Sequence, residues 1–207
     1  MRVDACVAVL LAASPVAVPA QGMGSPPPAV RASASASGTS NADRDFTPRV
    51  QHDAFDKSTT TIVDIAKDVW GGDKQCTNAP SYERVSISLA KLDPPDSGLS
   101  VVLVVRYTGN AWLFMDPSAP VRFLIADTVV AVPVLAVPTQ EPVAGSEVTE
   151  VADAAPTRAQ LRAIGSADST TMRIVGRRGQ CDVRLTRKAL RLVQLFDQRI
   201  LGDSAAR

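Results

Sequence analysis

SEVTEVADAAPTRAQLRAIGSADSTTMRIVGRRGQCDVRLTRKALRLVQLFDQRIL, residues 146–201, is the stretch that decides the fold of this 207-residue chain. Its clearest pattern lies in residues 180–185, where Cys181 and every second residue after it are apolar and the residues between them are polar. Alternation with a period of two is typical of a strand with one buried face. Because the similar run 169–175 precedes it and only Gly176-Arg-Arg-Gly179 lies between, the two runs predict a β-hairpin.

A strand and a short helix are predicted before this hairpin. Residues 146–152 alternate weakly and favour a strand, and residues 157–164 favour a helix. Thr157 and Gln160 have the spacing of a capping box, in which each side chain bonds to the backbone N–H of the other residue. Gly165 follows as the left-handed residue that ends the helix.

The stretch ends with an amphipathic helix over residues 186–201, for which Thr186 supplies the N-terminal cap. One side of this helix carries an apolar stripe, and the opposite side carries arginine and glutamine. An apolar stripe of this length must cover something apolar, and the simplest choice is the preceding sheet. The stripe consists of Ala189, Leu192, Val193, Phe196 and Ile200.

Short strands are predicted upstream. Proline at 133 and 138 places the last of them, residues 128–137, at a sheet edge or bulge. Residues 63–70, which overlap the first predicted strand, also fit a helix. Residues 46–56 are expected to be irregular, and residues 138–145 form a loop. The predicted strands are 57–65, 82–92, 99–107, 111–115, 121–126 and 128–137.

The whole pattern predicts a mainly β fold, either β-sandwich-like or α+β, because short strands recur about every ten residues and helices come only near the end. We expect 7–9 short strands together with the helices 157–164 and 186–201.

The N-terminus predicts export. Residues 1–20 combine a basic residue, a short apolar run and small residues before a cleavage site near Ala20, as in a secretory signal peptide. The run is shorter than the ~20 residues of a membrane-spanning helix, and no later segment is long and apolar enough to span a bilayer. Residues 21–45, rich in Pro, Ala and Ser, predict a disordered tether, and residues 46–207 a single globular domain. The protein is expected in the periplasm or outside the cell.

Two cysteines remain after signal removal, Cys76 and Cys181. In an exported chain an even pair favours a disulfide, which would close a loop of about 105 residues. In the alternative interpretation, Cys181 is a small buried residue and Cys76 a thiol in a polar loop.

The sequence offers few residues for catalysis or cofactor binding. His52 is the only histidine, and no Gly-x-Ser-x-Gly elbow, P-loop or Gly-x-Gly-x-x-Gly occurs. We therefore predict no catalytic residue, no cofactor and no metal site. One alternative stays open: a pair of carboxylates that meet in space can act as acid and base. The candidates are Asp64, Glu83, Asp116, Asp127, Glu147, Glu150 and Asp182.

Positive charge is concentrated near the C-terminus. A net charge of +1 predicts no general attraction to nucleic acid. The basic cluster near the C-terminus predicts a patch that binds an acidic envelope polymer or protein. In the alternative interpretation, the cluster is the solvated face of a helix and hairpin. The patch consists of Arg177, Arg178, Arg184, Arg187, Lys188 and Arg191.

Several motifs together resemble a loose group of uncharacterised secreted bacterial β-rich domains, over residues 57–201. The resemblance implies the fold and export, and it brings no activity, cofactor or catalytic residue. The turn Ala126-Asp-Thr128 departs from the Asp-Gly that the group leads us to expect. The motifs are Trp112-Leu-Phe114, Pro156-Thr-x-x-Gln-Leu-x-x-Ile164, Met172-Arg-Ile-Val-Gly176 and the final helix ending near Phe196.

These observations predict an exported, non-enzymatic binding or scaffolding domain of the bacterial envelope. Two alternatives have structural tests. A hydrolase that uses two carboxylates requires a pair of them about 5 to 10 Å apart across a cleft. A carrier of an apolar ligand requires an interior cavity of several hundred Å³, on the order of the pockets that hold small molecules.

Overall fold

The computed structural model describes residues 41–69, 74–77, 83–93, 100–143 and 145–202. The predicted signal peptide and the predicted tether up to residue 40 lie outside the described residues. The described residues belong to one compact unit.

Eleven strands and three α-helices make up the described part of the chain. A π-helical segment, Phe196–Leu201, continues the third helix. In chain order the elements are α1 (Asn41–Asp45), β1 (Arg49–Asp53), β2 (Ser58–Val69), β3 (Lys74–Cys76), β4 (Arg84–Asp93), β5 (Ser100–Gly109), β6 (Val121–Ile125), β7 (Thr128–Val132), β8 (Thr139–Pro142), β9 (Val148–Ala154), α2 (Arg158–Gly165), β10 (Thr170–Gly176), β11 (Gly179–Leu185) and α3 (Arg187–Leu195).

The strands form two antiparallel sheets. Sheet A has six strands in the order β1-β2-β4-β5-β9-β8, and sheet B has five in the order β3-β11-β10-β6-β7. Inward-facing side chains of both sheets, with those of α2 and α3, share one hydrophobic core. The structure is mainly β with few helices, as the alternating sequence predicted.

The closing helix, formed by α3 and the π-helical segment that continues it, seals this core from one side. The α3 helix contacts β2 of sheet A and β11 of sheet B, and the π-helical segment contacts β4. The helix therefore spans the gap between the two sheets and does not lie on one sheet alone. Four of the five predicted stripe residues are buried, and Ile200 is half-buried; Leu190, Leu195 and Leu201 are buried too, so the apolar face is wider than predicted.

The predicted hairpin and the start of the short helix are confirmed. Strands β10 and β11 pair along their whole length, and Thr157 and Gln160 form both bonds of the capping box. The prediction for Gly165 was wrong, because this residue is helical and Ser166 ends the helix. A Cβ atom at Gly165 would lie 3.0 Å from Cγ and 3.1 Å from the backbone nitrogen of Gln194. The glycine therefore allows close packing of α2 on α3.

Three further predictions differ from the structure. Residues 49–53 form β1 and residues 139–142 form β8, although an irregular segment and a loop were predicted. Both strands lie at edges of sheet A with every residue exposed, so their sequences lack an apolar alternation. The run 111–115 is not a strand, and only Met115 forms an isolated bridge, with Gly176.

The uncertain segment around residue 63 is a strand. Strand β2 continues to Val69, and its pairing with β4 shifts register between Asp64 and Val69. Asp68 has a φ of 44°, in the left-handed region. These irregularities explain why the sequence also fitted a helix. The edge position predicted from Pro133 and Pro138 is confirmed, because β7 is the last strand of sheet B.

Candidate functional site

A disulfide joins Cys76 and Cys181, as the even pair of cysteines predicted. The two residues lie directly opposite each other on β3 and β11. The polar loop predicted around Cys76 is therefore a short strand. The bond links positions 105 residues apart and fixes the edge of sheet B.

Beside the disulfide lies a buried ion pair. Lys74 donates to the backbone carbonyl of Glu83 at 2.6 Å and to its carboxylate at 3.3 Å. The Tyr107 hydroxyl donates to the same carboxylate at 3.4 Å. Within the described ranges, Glu83 and the two cysteines are the only group with metal-ligand spacing. Both sulfurs belong to the disulfide and carry no thiolate charge, so this group does not suit a metal ion.

The second buried carboxylate, Glu150, holds an irregular segment. It accepts hydrogen bonds from the backbone N–H groups of Leu113, Phe114 and Met115. Phe114 has a φ of 53°, which turns successive N–H groups toward one point. Glu150 is fully buried on β9. This carboxylate takes the place of strand carbonyl groups as the acceptor for the N–H groups of Leu113, Phe114 and Met115.

The carboxylate pair predicted as one alternative has a partial counterpart here. Burial and the nearby charges of Glu83 and Glu150 raise the pKa of Tyr107. Both acids are buried, and their oxygens bond to backbone N–H groups, Lys74 or Tyr107. An acid–base pair must face a cleft to reach a substrate, so this geometry favours a structural role.

The other five candidate carboxylates lie apart on the surface or in loops. Glu147 pairs with Arg84, and Asp182 receives two hydrogen bonds from Arg173. Asp116 lies in a loop and Asp127 in the turn between β6 and β7. Asp64 lines the groove described below. His52, on exposed β1, has a ring nitrogen 3.1 Å from the Thr59 hydroxyl.

The core between the described strands and helices is filled. One interior space, bounded by both sheets, α2 and α3, has a volume of about 10 Å³. Another, between β9 and β10, also measures about 10 Å³. A carrier of an apolar ligand needs several hundred Å³, so these spaces do not favour that alternative.

The predicted basic patch divides into two groups. Arg177 and Arg178 lie at the exposed hairpin tip, and Arg178 lies 4.8 Å above the Phe114 ring. The other four residues lie at the opposite end of β11, about 20 Å away for a strand that rises ~3.3 Å per residue. Among these four, Lys188 pairs with Asp45, and Arg191 with Asp43. Arg184 and Arg187 are exposed.

A groove of about 570 Å³ crosses the outer face of sheet A. We call it the sheet A groove. Four cationic side chains line it against two carboxylates, and four hydroxyl groups lie between them. Its lining consists of Arg49, Asp64, Lys67, Asp68, Arg84, Ser86, Ser88, Val104, Arg106, Thr108, Val143 and Thr149.

Most polar groups of the sheet A groove bond to each other. Asp64 pairs with Arg49 and Lys67, each at 2.9 Å, and accepts from Ser88 at 2.9 Å. Burial acts to raise the pKa of Asp64, but these hydrogen bonds and charges hold it below its usual value. Thr108 and Thr149 bond to each other at 3.1 Å.

Arg106 differs from its neighbours. It lies on β5 opposite Ser86 of β4 and Val151 of β9, in the middle of sheet A. Its side chain is exposed, and no described residue forms an ion pair or hydrogen bond with it. An arginine presents five donors in a planar fork that matches a carboxylate or phosphate. No motif in the sequence singles out Arg106, although a charge inside a valine-rich strand is a signal that its side chain faces outward.

Comparison of the chain with models of protein families, with curated protein sequences and with solved structures found no match. The resemblance to secreted bacterial β-rich domains therefore stays a prediction. In the part of the chain that the structure describes, no helix has the length and apolar character needed to cross a membrane.

Proposed function

We propose that this chain is an exported, non-enzymatic domain that binds an anionic, hydroxyl-rich ligand of the cell envelope in the sheet A groove. The observation that carries this proposal is Arg106, which pairs with no described residue, in the middle of a polar groove of about 570 Å³. Pockets that hold small ligands have volumes of about 300–1,000 Å³. The groove is therefore large enough for a short oligosaccharide.

The composition of the groove favours an acidic sugar. Arg106 can bind a carboxylate through two parallel hydrogen bonds. Ser86 lies directly opposite it, and Thr108 follows two residues along the same face. The Ser86 hydroxyl already bonds to Asp68, and the Thr108 hydroxyl to Thr149. A hydroxyl in one hydrogen bond keeps a further lone pair that can accept from the hydroxyls of a sugar ring. An acidic oligosaccharide thus matches both parts of the lining.

Export is supported by two independent features. Residues 1–20 have the pattern of a signal peptide. The disulfide between Cys76 and Cys181 is typical of proteins in oxidising compartments. The family resemblance adds the same expectation.

The test is a calorimetric titration of the protein with oligogalacturonate, which carries one carboxylate per sugar, and with a neutral maltooligosaccharide of equal length. We expect the acidic sugar to bind and the neutral one not to bind. The Arg106→Ala variant should weaken binding about 10- to 150-fold, because a hydrogen bond to a charged group is worth about 1.5–3 kcal/mol. Arg106→Lys should lose less, since it keeps the charge but not the fork.

Arg122→Ala is the matched control. Arg122 is an exposed arginine on β6 of the other sheet, and no described residue pairs with it. Its loss should leave the affinity unchanged. Equal binding of acidic and neutral sugars, or an equal effect of both alanine variants, would contradict the proposal.

A further inference from the structure

The short helix α1 lies against the closing helix. Asp43 accepts hydrogen bonds from two cations of that helix, Arg191 at 3.4 Å and Arg199 at 2.8 Å. The Asp43 side chain is only 12% exposed. One carboxylate near the N-terminal end of the domain thus joins two arginines about 150 residues later in the chain.

Three neighbours of Asp43 extend this contact. Asp45 pairs with Lys188 at 2.6 Å, and the Arg199 guanidinium lies 5.4 Å above the Phe46 ring. Ala42 is 6% exposed. Residues 42–46, which we call the acidic segment, therefore combine two carboxylates, an aromatic ring and a buried methyl group.

The cations that receive the acidic segment form one surface. We call Lys188, Arg191 and Arg199 the basic face. Positions three and eight residues apart lie on the same side of a helix, so the three side chains point toward α1 together. Arg187, next to Lys188, is exposed and pairs with no described residue.

We propose that the basic face is a docking surface for an acidic peptide, and that the acidic segment occupies it within the same chain. The partner has the chemistry of the occupant: two carboxylates two residues apart, followed by an aromatic residue. Another acidic peptide binds only when the acidic segment leaves. This proposal does not depend on the sheet A groove, because the two surfaces share no residue.

One of the ion pairs that hold the acidic segment is exposed to solvent. Lys188 and Asp45 are 57% and 48% exposed, and pairs between exposed charges are weak and screened by salt. Attachment to the same chain compensates for weak contacts, because it gives the segment an effective concentration on the order of millimolar. A competing peptide with the same contacts must overcome that concentration.

The experiment is a titration of the full chain, labelled with ¹⁵N, with a free peptide of residues 41–48, Asn-Ala-Asp-Arg-Asp-Phe-Thr-Pro, followed by NMR at low salt. The amide signals of Lys188, Arg191 and Arg199 report on the basic face. The Asp43→Asn/Asp45→Asn variant weakens the internal occupant without changing its size. We expect this variant to bind the peptide at least about tenfold more tightly than the unmodified chain.

Two controls test whether charge recognition explains the result. A peptide with both aspartates replaced by asparagine should not shift these signals. Adding Arg191→Gln and Arg199→Gln to the aspartate variant should abolish the gain. Trypsin cleavage after Arg44, which is exposed, should be faster in the Asp43→Asn/Asp45→Asn variant. Equal peptide affinity of the unmodified and variant chains, or unchanged cleavage, would overturn the proposal.

Discussion

Replacing Glu150 by glutamine should destabilise the protein more than any other isosteric change of a carboxylate in the described structure. Glu150 is fully buried, and its two oxygens accept three backbone hydrogen bonds. One oxygen accepts from Leu113 and Phe114, and the other accepts from Met115 at 2.7 Å. Glutamine has one oxygen, so at least one of the three N–H groups must then face an NH₂ donor.

The magnitude follows from these bonds. A hydrogen bond to a charged group contributes about 1.5–3 kcal/mol, and a buried donor left without a partner costs about 1–3 kcal/mol. The two bonds that remain also become neutral and weaker. The expected loss in the free energy of unfolding is about 3–5 kcal/mol, a large part of the 5–15 kcal/mol typical of a whole domain. For a chain of this length it corresponds to a Tm lower by roughly 6–20 °C.

Calorimetry of the unmodified protein and of Glu150→Gln at neutral pH measures this loss. Glu141→Gln is the control, because Glu141 lies exposed on the neighbouring strand β8 and should change Tm by less than 1–2 °C, about what a surface change of up to 0.5 kcal/mol produces. Hydrogen exchange should also show faster exchange of the Leu113–Met115 amides in Glu150→Gln. A Tm within about 2 °C of the unmodified protein would refute the structural role of this carboxylate.

Three further changes test other parts of the fold. Replacing Cys76 and Cys181 by serine should lower the free energy of unfolding by about 4–5 kcal/mol, because the disulfide closes a long loop; urea unfolding measures it, and an unchanged midpoint would contradict it. Gly165→Ala should destabilise by about 1–3 kcal/mol through overpacking against α3, whereas a gain in Tm would show that the helices are not in close contact. Asp197→Asn removes pairing with two arginines of α2 and should cost about 1–2 kcal/mol at pH 7. Burial acts to raise the pKa of Asp197, but those arginines hold this pKa below its usual value. The stabilisation from ionised Asp197 is therefore present above about pH 4, the pKa of an unfolded aspartate, and is lost as the pH falls through the folded pKa. At low pH the unmodified protein and Asp197→Asn should unfold at similar temperatures.

The elements that the sequence predicted are those whose signals are local. Strand β4 alternates between buried and half-buried side chains over most of its length, and a capping box marks the start of α2. Strands β1 and β8 are exposed on both faces and exist because they pair with a neighbouring strand. Their formation depends on partners, so no periodicity within them could reveal it.

The segment 111–115 shows the same limit for an apolar run. Its residues suit a buried strand, but the backbone N–H groups of Leu113, Phe114 and Met115 bond to Glu150, at least 35 residues later. A glutamate in a strand normally suggests a solvated face. Only the arrangement of β5 next to β9 brings this carboxylate under residues 111–115, and that arrangement is a property of the fold.

The basic patch was predicted from proximity in sequence, and proximity in sequence does not give proximity in space. Strand β11 separates the hairpin tip from the start of α3 by its whole length. The carboxylates that pair with Lys188 and Arg191 come from Asp45 and Asp43, which the sequence assigned to a disordered tether. The last five residues of the predicted tether, Asn41–Asp45, instead form α1.

The two proposed surfaces differ in whether they are already occupied, and this difference separates their ligands. Arg106 pairs with no residue that the structure describes, so a short acidic oligosaccharide can bind there without displacing a described group. The three cations of the basic face already pair with Asp43 and Asp45, so an acidic ligand must first displace these two carboxylates. Arg106→Ala should therefore weaken sugar binding about 10- to 150-fold and leave unchanged the peptide binding gained by Asp43→Asn/Asp45→Asn. Loss of both activities in Arg106→Ala would show that the two surfaces are coupled or that the variant is misfolded, and its Tm distinguishes these two cases.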